Sequence, residues 1–373
     1  MGEILQQFLS ALLAFLLGFT GFFGTSSKKD IENVILLIGD GMGEMHLEMT
    51  EAMRGISLTM NELPQKGYSK TRSASSSVTD SAAGATAIAC GVRTENGMIG
   101  LYWDKESGVT RQPGTRPMNL TEVCMENGMK TGVITTDDLS GATPGGFTAH
   151  TSSRKNYSDI TSQQIQSDID LIWGKADGTL TEAQVTAAGY TYIDTLSEMN
   201  ALTGEEKSYG MFTASLYYPY NKNKSTPTLS QMAAKAIDIL DSTSEDGFFL
   251  MIEGAHIDKK SHDQNEEGAA EALEEFDNTV RVALEFAKQD GHTLVVVTAD
   301  HETGGVTLNA NGEYEMTTGS HTGVNVPLRA YAPDGYEFIG ENEAIDNTQI
   351  SVRIAQALEF PAGSIPCAVF IDS

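Results

Sequence analysis

Buried-strand patterns that end in polar, cation-binding residues constrain the fold of this chain more than any other feature. Residues 33–38, all apolar after Asn33, run into Gly39-Asp40-Gly41. Residues 130–135 run into Thr136-Asp137-Asp138, residues 248–252 into Glu253-Gly254, and residues 293–298 into Ala299-Asp300-His301. Runs this short, continuous and rich in branched side chains read as strands covered on both faces. Residues 326–331 are a further candidate. Helical patterns at 120–127, 229–240 and 268–289 alternate with the strands. The alternation predicts an α/β fold: a central, mostly parallel sheet flanked by helices on both faces. In open sheets of this kind ligands bind past the C-terminal strand ends. Asp40, Glu253, Asp300 and His301 are therefore expected to share one edge, and stability alone gives no reason for such a repeat.

The run Thr79-Asp80-Ser81-Ala82-Ala83-Gly84-Ala85 adds a hydroxyl to this picture. Thr, Asp and Ser favour the cap of a helix, and the alanines that follow propagate one without bulk. A helix start offers free N–H groups and partial positive charge, which suits a phosphate. A tightly packed structural helix would carry the same residues. The rest of the chain decides between the two.

Composition narrows the field. The chain has 373 residues, 40% of them hydrophobic and 20% charged, enough for one large folded domain. Its net charge of -27 excludes nucleic acid as a binding partner, because phosphate backbones need basic surface. Small phosphate esters stay open, since bound divalent ions reverse a local field. Cys90, Cys124 and Cys367 form no metal-type spacing and no disulfide framework.

Asp258 and His262 stand four residues apart, so on a helical turn they share a face and could chelate one ion. A surface pair would show the same spacing. Asp300-His301 follows a strand, and His321 lies in the turn Ser320-His321-Thr322-Gly323. Three of only seven histidines fall in such contexts.

These segments resemble the alkaline phosphatases. GDGMG (39–43), VTDSAAGATA (78–87), GATP (141–144), HTSSR (150–154), IEGAHIDKKSH (252–262), VVTADHETGG (296–305) and SHTG (320–323) occur in that family's order across residues 33 to 331. The resemblance implies a phosphate monoesterase with two zinc ions and one magnesium ion. One zinc would sit on Asp258, His262 and His321, the other on Asp40, Asp300 and His301. Magnesium would sit on Asp40, Thr143 and Glu253. Ser81 would be the nucleophile, Arg154 the phosphate clamp and Asp80 the carboxylate that steadies it.

Two positions depart from a common family pattern. Gly141 stands where many bacterial members carry an aspartate and others a histidine. Lys259 is then expected to lack its usual anion and to reach the bound phosphate directly. An aspartate at 141 is expected to tighten magnesium binding and draw Lys259 away. The stretch between His301 and His321 is short, so the family's crown insertion is expected to be small or absent. That leaves a homodimer without specific support.

The apolar run 8–23 has the length of a signal-peptide core, and residues 1–29 are expected to be an export signal or N-terminal membrane anchor. The protein is accordingly expected outside the cytoplasm: periplasmic, secreted or membrane-attached. Lys28 and Lys29 follow the run instead of preceding it, which weighs against export. The remaining residues, 30–373, are read as the catalytic domain, with a polar, weakly periodic helical insertion at its periphery over about 157–227. Within the same superfamily a phosphodiesterase or a sulfatase is the alternative activity. A silent phosphate-binding protein is the alternative from another class.

Overall fold

All seven residues of strand β1, Asn33–Gly39, are buried, and they form the centre of a ten-stranded sheet. The computed structural model describes residues 31–103, 114–217, 225–333 and 335–365. In chain order the next strands are β2 Gln65–Lys70, β3 Lys130–Asp138, β4 Leu171–Lys175, β5 Thr191–Ile193 and β6 Ser208–Phe212. They are followed by β7 Phe248–Gly254 and β8 Thr293–Thr298. Four very short strands come next: β9 Glu302–Thr303, β10 Val306–Leu308, β11 Tyr314–Met316 and β12 His321–Thr322. β13 Val326–Tyr331 and β14 Ala344–Asp346 complete the set. The sheet order is β14-β2-β13-β8-β1-β7-β3-β4-β6-β5. β13 alone runs against its neighbours.

Alternate residues of each central strand feed two cores, as the pleat requires. Ile35 and Leu37, with Leu250, Ile252, Val295 and Val297, pack on one face against the helices Leu229–Thr243 and Glu266–Asp290. Val34, Leu36 and Ile38 turn to the other face with Phe249, Met251 and Val296, beneath the helices Leu120–Glu126 and Gln349–Ala357. Each fully buried Leu or Ile here contributes about 1.5–3 kcal/mol by leaving water. This double covering is why the strands read as unbroken apolar runs.

The segment expected as a helical insertion at 157–227 is different. It contains the helices Tyr157–Gln166, Glu182–Ala187 and Leu196–Ala201, and it also supplies β4, β5 and β6, which extend the sheet beyond β3. β4 is only Leu-Ile-Trp-Gly-Lys and β6 only Ser-Tyr-Gly-Met-Phe. Runs of five interrupted by a glycine carry too little pattern to be read as strands. Between His301 and His321 lie no more than β9, β10 and β11, the last two pairing as a small ribbon. Cys90 and Cys124 are buried and unpaired. The apolar run 8–23 and Cys367 lie outside the described residues. Among those residues no helix is long and apolar enough to cross a membrane.

Candidate active site

Parallel register places four strand ends side by side. Ile38 of β1 is level with Glu253 of β7 and Thr298 of β8, and Glu253 is level with Thr135 of β3. The residues just beyond these positions emerge on one edge. Gly41 turns the chain after β1 at φ +74, and a Cβ there would lie 2.8 Å from Asp258. Glycine is what allows Asp40 and Asp258 to approach so closely.

Ser81 opens the helix Ser81–Cys90, with Asp80 as its N-cap. One oxygen of Asp80 accepts from the Ala83 N–H at 3.0 Å. The other accepts from Arg154 Nη1 at 3.1 Å. Small residues let this helix sit deep in the site. A Cβ on Gly84 would come within 3.0 Å of Asp300, and one on Gly146 within 2.9 Å of Ala85. The Ser81 hydroxyl thereby reaches 3.2 Å from His301 Nε2.

The expected ligands form two adjacent groups. Asp258, His262 and His321 bring one ligand atom each to within 4.8 Å of one another, and so do Asp40, Asp258 and His301. Asp258 thus borders both. Asp300 Oδ2 lies 3.3 Å from His301 Nε2, and Asp40 Oδ1 lies 3.5 Å from it. The helix His256–His262 places Asp258 and His262 on one face, with Asp258 Oδ1 3.3 Å from His262 Nε2.

All three histidines point the same nitrogen inward. His262 Nδ1 donates to the Gly319 carbonyl at 2.8 Å, and His321 Nδ1 donates to the Thr79 carbonyl at 3.0 Å. His301 Nδ1 donates to Thr303 Oγ1 at 3.2 Å, and that hydroxyl donates to Asp258 at 2.5 Å. Each Nδ1–H is engaged, so each Nε2 keeps a lone pair for a cation.

The oxygens tell the same story. Asp40 Oδ1, Thr143 Oγ1, Glu253 Oε1 and Asp300 Oδ2 are buried without a hydrogen-bond partner. Folded proteins leave few such atoms, and each asks for an explanation. Burial, followed by Asp300, Asp258, Glu253 and Asp137, pushes the Asp40 carboxyl well up. Burial and then Asp137 raise Glu253 to about 8. Burial also raises Asp300, and burial with His321 lowers His301 to about 3. So many crowded carboxylates cannot all ionise without cations among them. The Asp/His groups suit zinc, and the Asp40, Thr143, Glu253 oxygen set suits magnesium.

Lys259 corrects an expectation. It has an anion: its Nζ donates to Asp137 Oδ1, and Asp137 leads the attractions that hold its charge against the desolvation of a half-exposed side chain. Asp137 follows the same strand-end rule as Asp40 and Glu253, and that rule could have singled it out. Thr303 and Thr135 also join the site unannounced. The Thr135 hydroxyl donates to Glu253 Oε2. His256 stays outside the ligand groups and packs its ring 5.1 Å from Tyr217. A cavity of about 330 Å³ opens beside Arg154, lined by Asp137, Asp138, Gly141, Tyr157 and Asp177. Such a site suits attack by a hydroxyl on an anionic ester.

Comparison with known proteins gives the family. The family model described as alkaline phosphatase matches residues 31–174 and 166–316. Alkaline phosphatase 4 of Bacillus subtilis is 34% identical over 77% of this chain, and the match spans 64% of that relative's length. The alkaline phosphatase of Escherichia coli is 30% identical over 86% of this chain and 85% of its own. The solved alkaline phosphatase of the Antarctic bacterium TAB5 superposes with a TM-score of 0.77 at 31% identity, covering 90% of this chain and all of that one. A variant of the TAB5 enzyme was solved with magnesium in its M3 site. The chain belongs to the alkaline phosphatase family of enzymes.

Proposed function

We propose that this chain hydrolyses phosphate monoesters through a phosphoserine at Ser81, with two zinc ions and one magnesium ion bound. Asp258, His262 and His321 would hold one zinc ion, and Asp40, Asp300 and His301 the other. Asp40, Thr143 and Glu253 would hold magnesium. When bound, the cations stabilise anionic oxygen on the attacking and departing groups.

The chain's own groups do the rest. Ser81 Oγ attacks phosphorus, the ester P–O bond breaks opposite it, and the alcohol departs. Arg154 offers a planar fork to two non-reacting phosphate oxygens, a match that lysine cannot make. Asp80 aims that fork. Burial opposes the Arg154 charge, but Asp80, Asp40 and Asp137 more than offset it. Water then takes the phosphoryl group from Ser81 and releases inorganic phosphate.

What supports the reading is four buried oxygens without a hydrogen-bond partner, three histidines whose Nδ1 is engaged, and a capped serine whose hydroxyl lies 3.2 Å from one of them, His301. The test combines metal analysis with hydrolysis of a chromogenic phosphate monoester and the matching diester. Zinc-dependent turnover of the monoester, with labelled phosphate trapped on Ser81, is the expected result. Faster turnover of the diester would replace this reading. We also propose an extracytoplasmic place of action, supported by the apolar run 8–23. Cell fractionation that found the protein only in the cytoplasm would overturn it.

A further inference from the structure

We propose that Asp137 is a positioning carboxylate that takes the place of a side chain at residue 141, completing the magnesium surroundings and tethering Lys259 away from phosphate. This rests on the reading of Asp40, Thr143 and Glu253 as magnesium ligands.

Space carries the argument. A Cβ built on Gly141 would lie 2.7 Å from Asp137 Oδ2 and 3.2 Å from its Cγ. The Asp137 carboxylate therefore fills the volume that a larger residue at 141 would use. Gly141 has φ -57, which any residue adopts, so the backbone does not require glycine there. The carboxylate beside it does. An aspartate at 141 would crowd Asp137 and the Asp138 carbonyl 2.8 Å away, so on this inference it displaces the Asp137 carboxylate instead of adding a second one.

Connectivity adds a second argument. The Asp137 N–H donates to Thr135 Oγ1 at 2.8 Å, and that hydroxyl donates to Glu253. Asp137 is thus tied through one threonine to an expected magnesium ligand. Its Oδ1 accepts from Lys259, while Oδ2 faces Gly141. An isolated ion pair with a lysine this exposed, 43%, would do little for stability. The structural reading of the pair therefore predicts no change in ligand binding when it is broken.

The test uses the zinc-loaded full chain and calorimetric titration with magnesium chloride alone, then with inorganic phosphate. Four proteins are compared: wild type, Asp137→Asn, Gly141→Ala and Asp137→Asn/Lys259→Ala. Asp137→Asn keeps the shape and removes the charge. It should weaken magnesium about 10–100-fold, the range for lost outer partners of a metal site. It should also tighten phosphate several-fold with zinc content unchanged. Gly141→Ala should shift both affinities the same way by displacing the Asp137 carboxylate. The phosphate gain should vanish in the double variant, because Lys259 is its source. Unchanged magnesium and phosphate affinities in Asp137→Asn, beside a wild type that binds magnesium, would overturn the inference. A wild type that binds no magnesium would instead overturn the reading of the ligand set beneath it.

Discussion

Asp80 uses both oxygens of one carboxylate for different tasks: one caps the Ser81 helix through the Ala83 N–H, and the other holds Arg154. The nucleophile's helix and the proposed phosphate clamp are thereby referenced to the same atom group. Asp80→Ala should lower stability by about 1 kcal/mol through loss of the cap. It should also weaken inhibition by phosphate, because Arg154 loses its guide. Thermal unfolding and phosphate inhibition, measured on the same sample, check the two effects. A stability loss with unchanged inhibition would show that Asp80 only caps.

Arg154→Ala should weaken phosphate without abolishing turnover. A charge-assisted hydrogen bond of this type is worth about 1.5–3 kcal/mol, or about a 10–100-fold rise in the phosphate inhibition constant. Equal inhibition of variant and parent would remove Arg154 from the role of clamp.

Ser81→Ala should eliminate the phosphoenzyme and most turnover while zinc content stays at the parent level. The hydroxyl comes from the first residue of the helix that Asp80 caps, whereas the expected ligands come from other segments. Labelled phosphate recovered on another residue of the parent enzyme would refute the assignment.

Gly84→Ala tests the close approach of the Ser81 helix. Alanine favours a helix by up to about 1 kcal/mol over glycine. Here its Cβ would press within 3.0 Å of Asp300, including its backbone carbonyl. Net destabilisation and loss of zinc at the His301 site are expected, read by unfolding and metal analysis. A more stable protein with full zinc would show that the contact relaxes freely.

Metal binding should strengthen with pH. Glu253 in the metal-free fold titrates at about 8 against an ordinary 4.5. Its folded form binds the proton more tightly, so its contribution to stability is full below about 4.5 and is lost as pH rises through about 8. His301, lowered to about 3, contributes above its ordinary 6.5 and loses that as pH falls toward 3. Cations compete with protons for the same carboxylates and histidines. The rise in Tm on adding zinc and magnesium should therefore be larger at about pH 9 than at about pH 5. A rise that is equal at both would mean that the buried carboxylates are not the ligands.

Local pattern was enough for the parts of this protein that depend on neighbours in sequence. Buried strands announce themselves through unbroken apolar runs, and Asp40, Glu253 and Asp300 lie where such runs stop. Ser81 stands at a capped helix start, and Asp258 and His262 share a helical face by spacing alone. Which residues meet across the fold was decided by register and packing. Lys259 pairs with Asp137 because β3 and β7 run parallel and side by side, although 122 residues separate the two. Thr303 and the carbonyls of Thr79 and Gly319 set the histidine nitrogens only once the loops fold back over the strand ends. β4 became a strand because the edge of β3 offered unpaired backbone groups, and β6 because β4 offered them in turn, an energy that no five-residue run records. Propensity and spacing act within a few residues, whereas hydrogen-bonded pairing and exclusion of volume act between residues that only the folded chain makes adjacent.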